Sequence, residues 1–438
     1  MDELPVVVVG AGPIGLAAAA HLLERGVEPL VLEAGPHAGT AVSQWHHVRL
    51  FSPWSEVVDP VAGTLLATTG WTRPAGDTYP TGAEWSGHYL RPLAAVLGDR
   101  VRFGTTVVGV ARRGRDRVVD DGRDTEPLTV HVRTAAGEER ILARAVVDAS
   151  GTWSTPNPLG GDGLPALGER AAADRIAYQV PDLADPSVRD RYAGRRVAVA
   201  GSGHSALTAL VAFAELAPDT EVVWVLRRGA VGTVYGGGDA DELPARGALG
   251  RRAARAVEDG QVQVVRAFRT AEVRRVAGRL VLVGEDGREL APVDEVVALT
   301  GFRPDLSWLS ELRLELDPTL QAPVALAPLI DPNVHSCGTV HPHGVRELAH
   351  PEPGVYLVGM KSYGRAPTFL ARTGYEQVRS VVAAIAGDRG AAERVELTLP
   401  ETGVCGGSGL FDDPAGAAAG GCCAAPTAAV PIALTTGR

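Results

Sequence analysis

Apolar and polar positions occur in blocks along the first 33 residues. Residues 5–10 read PVVVVG, an apolar run followed by glycine that is typical of a buried parallel strand. Residues 14–24 predict a helix, and residues 28–33 predict a second strand. Because a glycine-rich turn joins the first strand to the helix, the sequence predicts a βαβ unit at the N-terminus.

The same order of blocks returns about 190 residues later. Arg196–Ala200 predicts a strand, a Gly-Ser-Gly turn leads into a helix that extends to Leu216, and residues 221–226 predict the next strand. A chain of 438 residues with two such units has the length of two or three domains.

The rest of the chain contains further predicted strands and one helix, with an irregular segment at 34–100 that holds four tryptophans. Segments 101–112, 128–134 and 140–149 are predicted as strands of a β-meander. The other predicted strands are 262–268, 280–285, 294–299 and 354–360, and a helix is predicted over 374–386.

Composition narrows the class of protein. Apolar residues make up 45% of the chain, and no apolar run approaches the length of a membrane span. Acidic residues exceed basic residues by 52 to 42, which argues against general nucleic-acid binding. No basic segment that would indicate a secretory signal stands at the N-terminus. All four cysteines lie at or after position 337, which excludes a disulfide framework and favours a cytoplasmic protein.

The first turn carries the G-x-G-x-x-G spacing of a dinucleotide site. Gly10 permits the tight turn, Gly12 lets the backbone approach a diphosphate, and Gly15 allows close packing of helix on strand. The helix N-terminus favours the diphosphate, and Glu33 stands where an acid bonds ribose hydroxyls. An N-terminal unit that precedes a second such unit more often holds FAD than NAD. The predicted FAD contacts here are Gly10, Gly12, Pro13, Ile14, Gly15 and Glu33.

The second turn carries the related G-x-G-x-x-A spacing and favours NADPH. Its second strand ends in Arg227-Arg228 in place of an acid, and arginines can pair with a 2′-phosphate that a carboxylate would repel. Two arginines that merely solvate a strand end are the alternative. His204 either contacts the nicotinamide side or is a solvated residue. The predicted NADPH contacts are Gly201, Gly203, His204, Ser205, Arg227 and Arg228.

With two units of this kind, the chain resembles the flavoproteins in which an NADPH domain interrupts an FAD domain. Residues 148–151 (DASG) and 299–305 (LTGFRPD) resemble the two linkers of that group, and 355–360 resembles its late strand near the flavin. The resemblance implies an α/β fold of two Rossmann-like domains of three-layer ββα type. It also implies cofactor contacts at Gly151, Thr300, Gly301 and Gly359.

The same resemblance implies the domain boundaries. The FAD domain is expected at 1–155 and 300–395, and the NADPH domain at 156–299. Residues 400–438 are expected to form a flexible, cysteine-containing tail of low complexity. Disulfide reductases share this layout, but they need a C-x-x-C or C-x4-C pair, and this sequence has neither spacing.

Within this group, the chain is most similar to flavin-containing monooxygenases, and specifically to the short enzymes of bacterial arsenic-resistance operons. Segments 43–54, 331–344 and 360–380 carry that similarity. It implies that NADPH reduces FAD and that one oxygen atom of O2 passes to a soft nucleophile, with a trivalent arsenical as a candidate. The monooxygenase fingerprint F-x-G-x-x-x-H is missing before Gly201, which favours the alternative of an NADPH oxidase or flavin reductase.

Several residues are candidates for the chemistry. Trp45 and Arg49 lie in the segment that passes the flavin in the relatives, although ordinary core packing is an equal alternative. Lys361 could meet the flavin or the phosphates, and Thr373 and Gly374 begin a predicted helix whose N-terminus could face the flavin. Cys337, in a segment with three histidines, either meets a thiophilic substrate or belongs to a structural loop.

The tail cysteines give a third functional alternative. Cys405, Cys422 and Cys423 could supply three thiolates to As(III), or they could be incidental thiols of a mobile tail. The chain would then be a flavin-bearing thiol protein that binds metalloid without oxidising it. The expected partners of the oxidoreductase are a small-molecule substrate and O2, without nucleic acid or membrane. A homodimer is also possible.

Overall fold

The structure, a computed structural model, describes residues 3–216, 219–229, 231–241, 243–334, 342–367 and 369–397. The strands in these residues are β1 Val6–Val9, β2 Pro29–Leu32, β3 Val101–Arg102, β4 Thr106–Arg112, β5 Leu128–Thr134, β6 Gly137–Ala143, β7 Ala145–Asp148, β8 Ile176–Ala177, β9 Arg196–Ala200, β10 Glu221–Val225, β11 Val262–Val265, β12 Thr270–Val276, β13 Arg279–Gly284, β14 Glu295–Ala298 and β15 Val355–Leu357.

The helices differ widely in length, from single turns to 15 residues. They are α1 Pro13–Glu24, α2 Thr40–Ser43, α3 Trp54–Val57, α4 Pro60–Ala67, α5 Gly82–Trp85, α6 Arg91–Leu97, α7 Pro186–Tyr192, α8 His204–Ala214, α9 Pro244–Glu258, α10 Ala327–Ile330, α11 Val345–Leu348, α12 Ala371–Ile385 and α13 Arg389–Glu393.

The first sheet is parallel and has the order β15-β7-β1-β2-β3. Successive side chains of a strand point to opposite faces, and both faces of β1 are buried. Val6 and Val8 pack among α1, α4, α6 and α12, whereas Val7 and Val9 pack against the antiparallel sheet β4-β5-β6. An unbroken valine run therefore fits this position, because the strand lies between two apolar layers.

The second sheet repeats this layering with the order β11-β10-β9-β14-β8. Val197 and Val199 of β9 face the core that contains α8 and α9, while Ala198 and Ala200 face the core that contains the β12-β13 hairpin. Each unit thus has helices on one face of its parallel sheet and antiparallel strands on the other. The predicted α/β fold of three-layer ββα type is confirmed.

Sheet membership differs from the prediction in two places. Segment 101–112 divides into β3, which pairs with β2 in the parallel sheet, and β4, which pairs with β5. The division falls at Gly104, whose φ of 61° bends the chain. Segment 140–149 divides in the same way, since β6 closes the antiparallel sheet and β7 pairs with β1.

The prediction that segment 34–100 is irregular is also wrong. It contains the five short helices α2 to α6, and several of their apolar residues join the first core. Helix α9 was not expected from the sequence either. Among the described residues, no helix is long and apolar enough to cross a membrane.

A buried ion cluster ties the antiparallel sheet to the segment before β15. The Glu352 carboxylate accepts hydrogen bonds from the Nη2 atoms of Arg112 at 2.7 Å and Arg123 at 2.5 Å, and from the Arg313 backbone N–H at 3.1 Å. Burial alone would raise the pKa of Glu352, but the bonds from Arg123 and Arg112 outweigh it and hold the pKa below its usual range. Loss of this carboxylate would leave two buried guanidinium groups without their counter-charge.

We expect Glu352→Gln to lower the free energy of unfolding by about 3–5 kcal/mol at neutral pH, because it breaks a buried ion cluster from one side. Chemical denaturation of the variant measures this loss. Glu138→Gln is the matched control, since the Glu138–Arg133 pair is exposed and contributes about 0–1 kcal/mol. Equal, small effects of both substitutions would contradict the assignment.

Candidate functional site

The first glycine turn, at the carboxyl end of β1, has room for side chains at only one of its three glycines. Gly10 has a φ of 99°, and a Cβ there would lie 2.9 Å from the Ala149 carbonyl oxygen. A Cβ on Gly15 would lie 1.9 Å from the Gly10 oxygen, but a Cβ on Gly12 would meet nothing within 4 Å. Gly10 and Gly15 therefore close the turn, and Gly12 leaves open space beside it.

The open space at Gly12 is lined by groups that suit a dinucleotide. Gly12 caps helix α1 without any side-chain cap, so the first N–H groups of the helix are available to an anion. The Glu33 carboxylate follows β2 at the same edge, where Oε2 accepts from the Ala11 N–H at 2.7 Å and Oε1 from the Gly35 N–H at 2.8 Å. A fixed carboxylate beside an open helix N-terminus fits the ribose and diphosphate of such a cofactor.

The second glycine turn, at the carboxyl end of β9, is built in the same way. Gly201 has a φ of 132°, and a Cβ there would lie 2.2 Å from the Leu299 carbonyl oxygen, whereas a Cβ on Gly203 would meet nothing. Gly203 caps α8 without a side-chain cap. Ser205 is exposed on the first turn of that helix. This turn therefore offers a second open helix N-terminus.

Arg227 and Arg228 follow β10 at the same edge of the second sheet, since Val225 pairs with Ala200. The Arg227 side chain is exposed, with its Nη1 3.5 Å from the Gly161 oxygen, and the Arg228 carbonyl accepts from the Ala267 N–H at 2.8 Å. The structure thus brings both arginines to the edge that holds the second turn.

The first unit contacts the second turn directly. The Phe51 ring meets the His204 ring at 5.3 Å in an edge-to-face arrangement. Burial lowers the pKa of His204 to about 4, and the nearby Arg246 lowers it in the same direction. His204 is therefore neutral at physiological pH, so it adds no charge beside the open helix N-terminus.

The second linker bonds to the segment that follows the first linker. Thr300 Oγ1 donates to the Asn157 oxygen at 2.8 Å, the Asn157 amide donates to the Thr300 oxygen at 2.9 Å, and the Asn157 N–H donates to the Gly301 oxygen at 2.9 Å. Arg303 continues the contact to the Asn157 side chain. Gly151, with a φ of 70°, faces open space close to the first turn. The chain therefore crosses between the units through two segments that hold each other in register.

Gly359 and Gly374 pack against Ile14 at the start of α1. A Cβ on Gly359 would lie 3.2 Å from Ile14, and one on Gly374 would lie 2.4 Å from it and 2.9 Å from Phe369. Helix α12 begins at Ala371, three residues earlier than predicted, so Gly374 serves helix packing and does not form the helix N-terminus. Thr373 is buried in the first turn of the same helix.

A buried amide holds the turn that follows β15. The Gly359 N–H donates to Gln377 Oε1 at 2.7 Å, and Gln377 Nε2 contacts Ser362 Oγ at 2.9 Å and His343 Nε2 at 2.8 Å. Gln377 thus fixes the backbone at Gly359, which lies beside the start of α1.

Lys361 makes a buried ion pair inside the protein. Its Nζ lies 2.7 Å from Asp148 Oδ2, 3.0 Å from Ser150 Oγ and 4.4 Å from the centroid of the Trp308 ring. The side chain is 1% exposed. The amine is therefore paired with residues of the first linker. These contacts do not support the expectation that it meets a flavin or a phosphate.

Trp45 and Arg49 do not come together at one catalytic point. The Trp45 ring packs near Trp85, with centroids 6.4 Å apart, and a Cβ on Gly82 would lie 2.9 Å from it. The Arg49 side chain is 61% exposed, bonds the Tyr79 carbonyl and lies 3.8 Å from Glu84. Core packing thus accounts for the contacts of Trp45, and Arg49 pairs at the surface.

An aromatic and amide cluster between the units was not predicted. The Trp153 and Phe302 rings stack at 4.7 Å, Trp153 Nε1 donates to Gln44 Oε1 at 2.8 Å, and Gln179 donates to the same oxygen at 3.1 Å. Gln44 lies in segment 43–54, but the sequence does not predict its contacts, because no local pattern pairs it with residues more than 100 positions away. Cys337, Cys405, Cys422 and Cys423 lie outside the described residues.

Comparisons with known proteins agree with this architecture. Residues 7–326 match the family described as pyridine nucleotide–disulphide oxidoreductases. A ferredoxin–NADP reductase of Salinispora arenicola is 31% identical over 324 residues, which cover 72% of this chain and 80% of that protein. An L-ornithine N(5)-monooxygenase of Burkholderia cepacia is 34% identical over 161 residues, which cover 35% of this chain and 32% of that protein.

A solved structure shows the same fold. The bacillithiol disulfide reductase of Bacillus cereus superimposes with a TM-score of 0.64 at 19% identity, over 88% of this chain and 99% of that chain. With its two dinucleotide turns and these relatives, the chain is a flavin-dependent oxidoreductase that uses FAD and NADPH, and it belongs to the pyridine nucleotide–disulphide oxidoreductase family.

Proposed function

We propose that this oxidoreductase is a monooxygenase that transfers one oxygen atom from O2 to a soft nucleophile, with a trivalent arsenical as the candidate substrate. The observation that carries this function is the pair of open helix N-termini, at Gly12 and Gly203, in two units that meet through Phe51 and His204. Such a pair suits an enzyme that passes a hydride from one dinucleotide to another.

We assign the FAD domain to 1–155 and 300–395 and the NADPH domain to 156–299. FAD, when bound, accepts a hydride from NADPH and makes O2 reactive towards nucleophiles. The N–H groups at the start of α1 would hold the FAD diphosphate, and Glu33 would bond its ribose. Arg227 and Arg228 would pair with the 2′-phosphate of NADPH near Gly203.

The residues between the units suit oxygenation because their aromatic rings supply apolar surface and little charge. Trp153 stacks on Phe302 across the linkers, and Phe51 packs on a His204 ring that stays neutral above a pKa of about 4. Apolar walls protect an oxygenating site from hydrolysis and from proton leakage. The sequence similarity to the L-ornithine N(5)-monooxygenase supports the same class of reaction.

Two features of the sequence support an arsenical substrate. These are the likeness of segments 43–54 and 360–380 to monooxygenases of arsenic-resistance operons and the thiols Cys405, Cys422 and Cys423, which suit a soft ion. A sulfide or an amine shares the same nucleophilic lone pair, so the substrate class is broader than arsenic.

An NADPH-oxidising reductase that does not oxygenate a substrate is the second candidate. It is favoured by the ferredoxin–NADP reductase of Salinispora arenicola, whose similarity covers 72% of this chain against 35% for the monooxygenase. The missing fingerprint before Gly201 points the same way. Electrons would then pass either to a carrier protein or to O2, which is reduced to peroxide.

We expect Gly12→Ala and Gly203→Ala to separate the two nucleotide sites. Each Cβ would fill open space where a diphosphate approaches, so neither change disturbs the fold. Gly12→Ala should lower bound FAD, and Gly203→Ala should keep FAD but raise the KM for NADPH, each by roughly tenfold, about 1.4 kcal/mol. Flavin absorbance after gel filtration and steady-state kinetics measure these effects.

Gly87→Ala is the matched control, because a Cβ there also meets nothing and no left-handed φ is required. It should leave FAD content and the KM for NADPH unchanged. Loss of FAD in the Gly203 variant and of NADPH binding in the Gly12 variant would reverse the assignment of the two sites.

We expect NADPH oxidation to be coupled to oxygen transfer when a suitable nucleophile is present. Arsenite, methylarsenite and an organosulfide are offered separately under 18O2, with NADPH, O2 and peroxide followed together. A monooxygenase consumes equal amounts of NADPH and O2 and places one labelled oxygen atom in the product. One peroxide per NADPH with every substrate, or reduction of an added ferredoxin in place of oxygenation, would overturn the monooxygenase and support the reductase.

A further inference from the structure

Two histidines and an aspartate meet where the segment after α2 touches the loop after β8. Ligand atoms of His46, His47 and Asp182 all lie within 4.8 Å of one another. In the part of the chain that the structure describes, no other group of three histidine, cysteine or acidic side chains is so close. The group includes none of the residues assigned to the nucleotide sites, and it spans 136 positions of sequence.

Both ring nitrogens of His46 lie beside oxygen acceptors. Nδ1 lies 3.2 Å from the Ser43 carbonyl oxygen, and Nε2 lies 3.1 Å from Asp182 Oδ2. A neutral ring has a single N–H, so it donates to only one of these oxygens and turns its lone pair to the other. When Nδ1 donates to the Ser43 carbonyl, the Nε2 lone pair faces the Asp182 carboxylate, and a metal ion between them would bind both.

The bond from His46 to Ser43 has the form of support that metal-binding histidines receive. Such histidines usually donate their second ring N–H to a carbonyl or carboxylate, which fixes the tautomer and the ring orientation. Asp182 is oriented in the same way, since its Oδ1 accepts from the Ala184 N–H at 3.1 Å. Its Oδ2 is thereby directed to the side of His46.

His47 supplies the second, independent observation. Both of its ring nitrogens are shielded from solvent, and the backbone of Val180 and Pro181 lies beside the ring, outside the geometry of a well-formed hydrogen bond to either nitrogen. A shielded imidazole without partners is costly unless something binds it. An imidazole nitrogen of this kind offers a lone pair to a metal ion.

We propose that His46, His47 and Asp182 bind a divalent ion of the late first transition series, of which Zn²⁺ is the representative. Two imidazoles and one carboxylate are a common donor set for this ion, with a fourth position left to water or another ligand. Bonds of about 2.0–2.1 Å to Zn²⁺ bring tetrahedral ligands to roughly 3.3 Å from each other. The 3.1 Å between His46 and Asp182 is close to that separation.

An ion at this place would join the two units. His46 and His47 follow Gln44, and Asp182 follows Gln179, whose amide already bonds the Gln44 side chain at 3.1 Å. The ion would therefore add a coordination link beside an existing hydrogen bond between the same two segments. It would stabilise the contact of these segments without entering either nucleotide turn.

The experiment is a calorimetric titration of the FAD-loaded, full-length protein with ZnCl2 at pH 7.5. Cys337, Cys405, Cys422 and Cys423 are first replaced by serine, because thiolates bind Zn²⁺ and would obscure this site. In that background, His47→Asn and Asp182→Asn are compared with the parent. His131→Asn is the matched control, since His131 is exposed on β5 and joins no such group among the described residues.

The parent and the His131 variant should bind one Zn²⁺, and each of the other two variants should bind it about 10- to 100-fold more weakly or not at all. Co²⁺ in place of Zn²⁺ should give the visible absorption of a tetrahedral ion, lost in the same two variants. FAD content and circular dichroism confirm that each variant folds.

A parent protein without saturable Zn²⁺ binding would overturn the proposed metal site and leave His46 and Asp182 as a directly hydrogen-bonded pair. Equal affinity in all four proteins would also overturn it, because the ion would then bind elsewhere. Either result leaves the oxidoreductase function untouched, since neither readout depends on turnover.

Discussion

Two glycine turns pack directly on the backbone of the linkers, and the rest of the architecture depends on this close approach. A Cβ on Gly10 would lie 2.9 Å from the Ala149 oxygen, and one on Gly201 would lie 2.2 Å from the Leu299 oxygen. Each turn is therefore held by the segment that leaves its own sheet for the other unit. A side chain at either position would move both the turn and the crossing.

This arrangement links the shape of each glycine turn to the way the chain crosses between the two units. The second linker bonds through Thr300 to Asn157, just after the first linker, so the position of one turn constrains the other. Lys361 neutralises Asp148 beneath the first linker, which would otherwise bury a carboxylate without a counter-charge. The turns that hold the open helix N-termini at Gly12 and Gly203 are thus kept in place by their contacts with the linkers.

The nucleotide-binding framework could be predicted because its signals are local. Glycine spacing, a valine run and the acid at Glu33 lie within one continuous stretch, and each has a direct steric or electrostatic reason. Sheet membership could not be predicted in the same way. Segments 101–102 and 145–148 belong to longer stretches with the pattern of any strand, and only distant partners decide which sheet they join.

In the candidate site, too, the local signals could be predicted, but the contacts between distant residues could not. Lys361 lies 213 positions from Asp148, and nothing in its neighbourhood indicates an ion pair in place of a ligand contact. The link from Gln44 to Trp153 and Gln179 likewise depends on the folded geometry of both units. Periodicity predicts the elements, but pairing of buried polar side chains follows from tertiary packing.

The central claim is that the two turns hold two cofactors that exchange a hydride. The most direct measurement is anaerobic stopped-flow reduction of the FAD-loaded protein by NADPH and by NADPH deuterated at the transferred position of C4. We predict complete bleaching of the flavin absorbance in a single turnover, a slower rate with the deuterated cofactor, and much weaker reduction by NADH. An oxidised flavin after mixing with NADPH, or equal reduction by NADH, would contradict it.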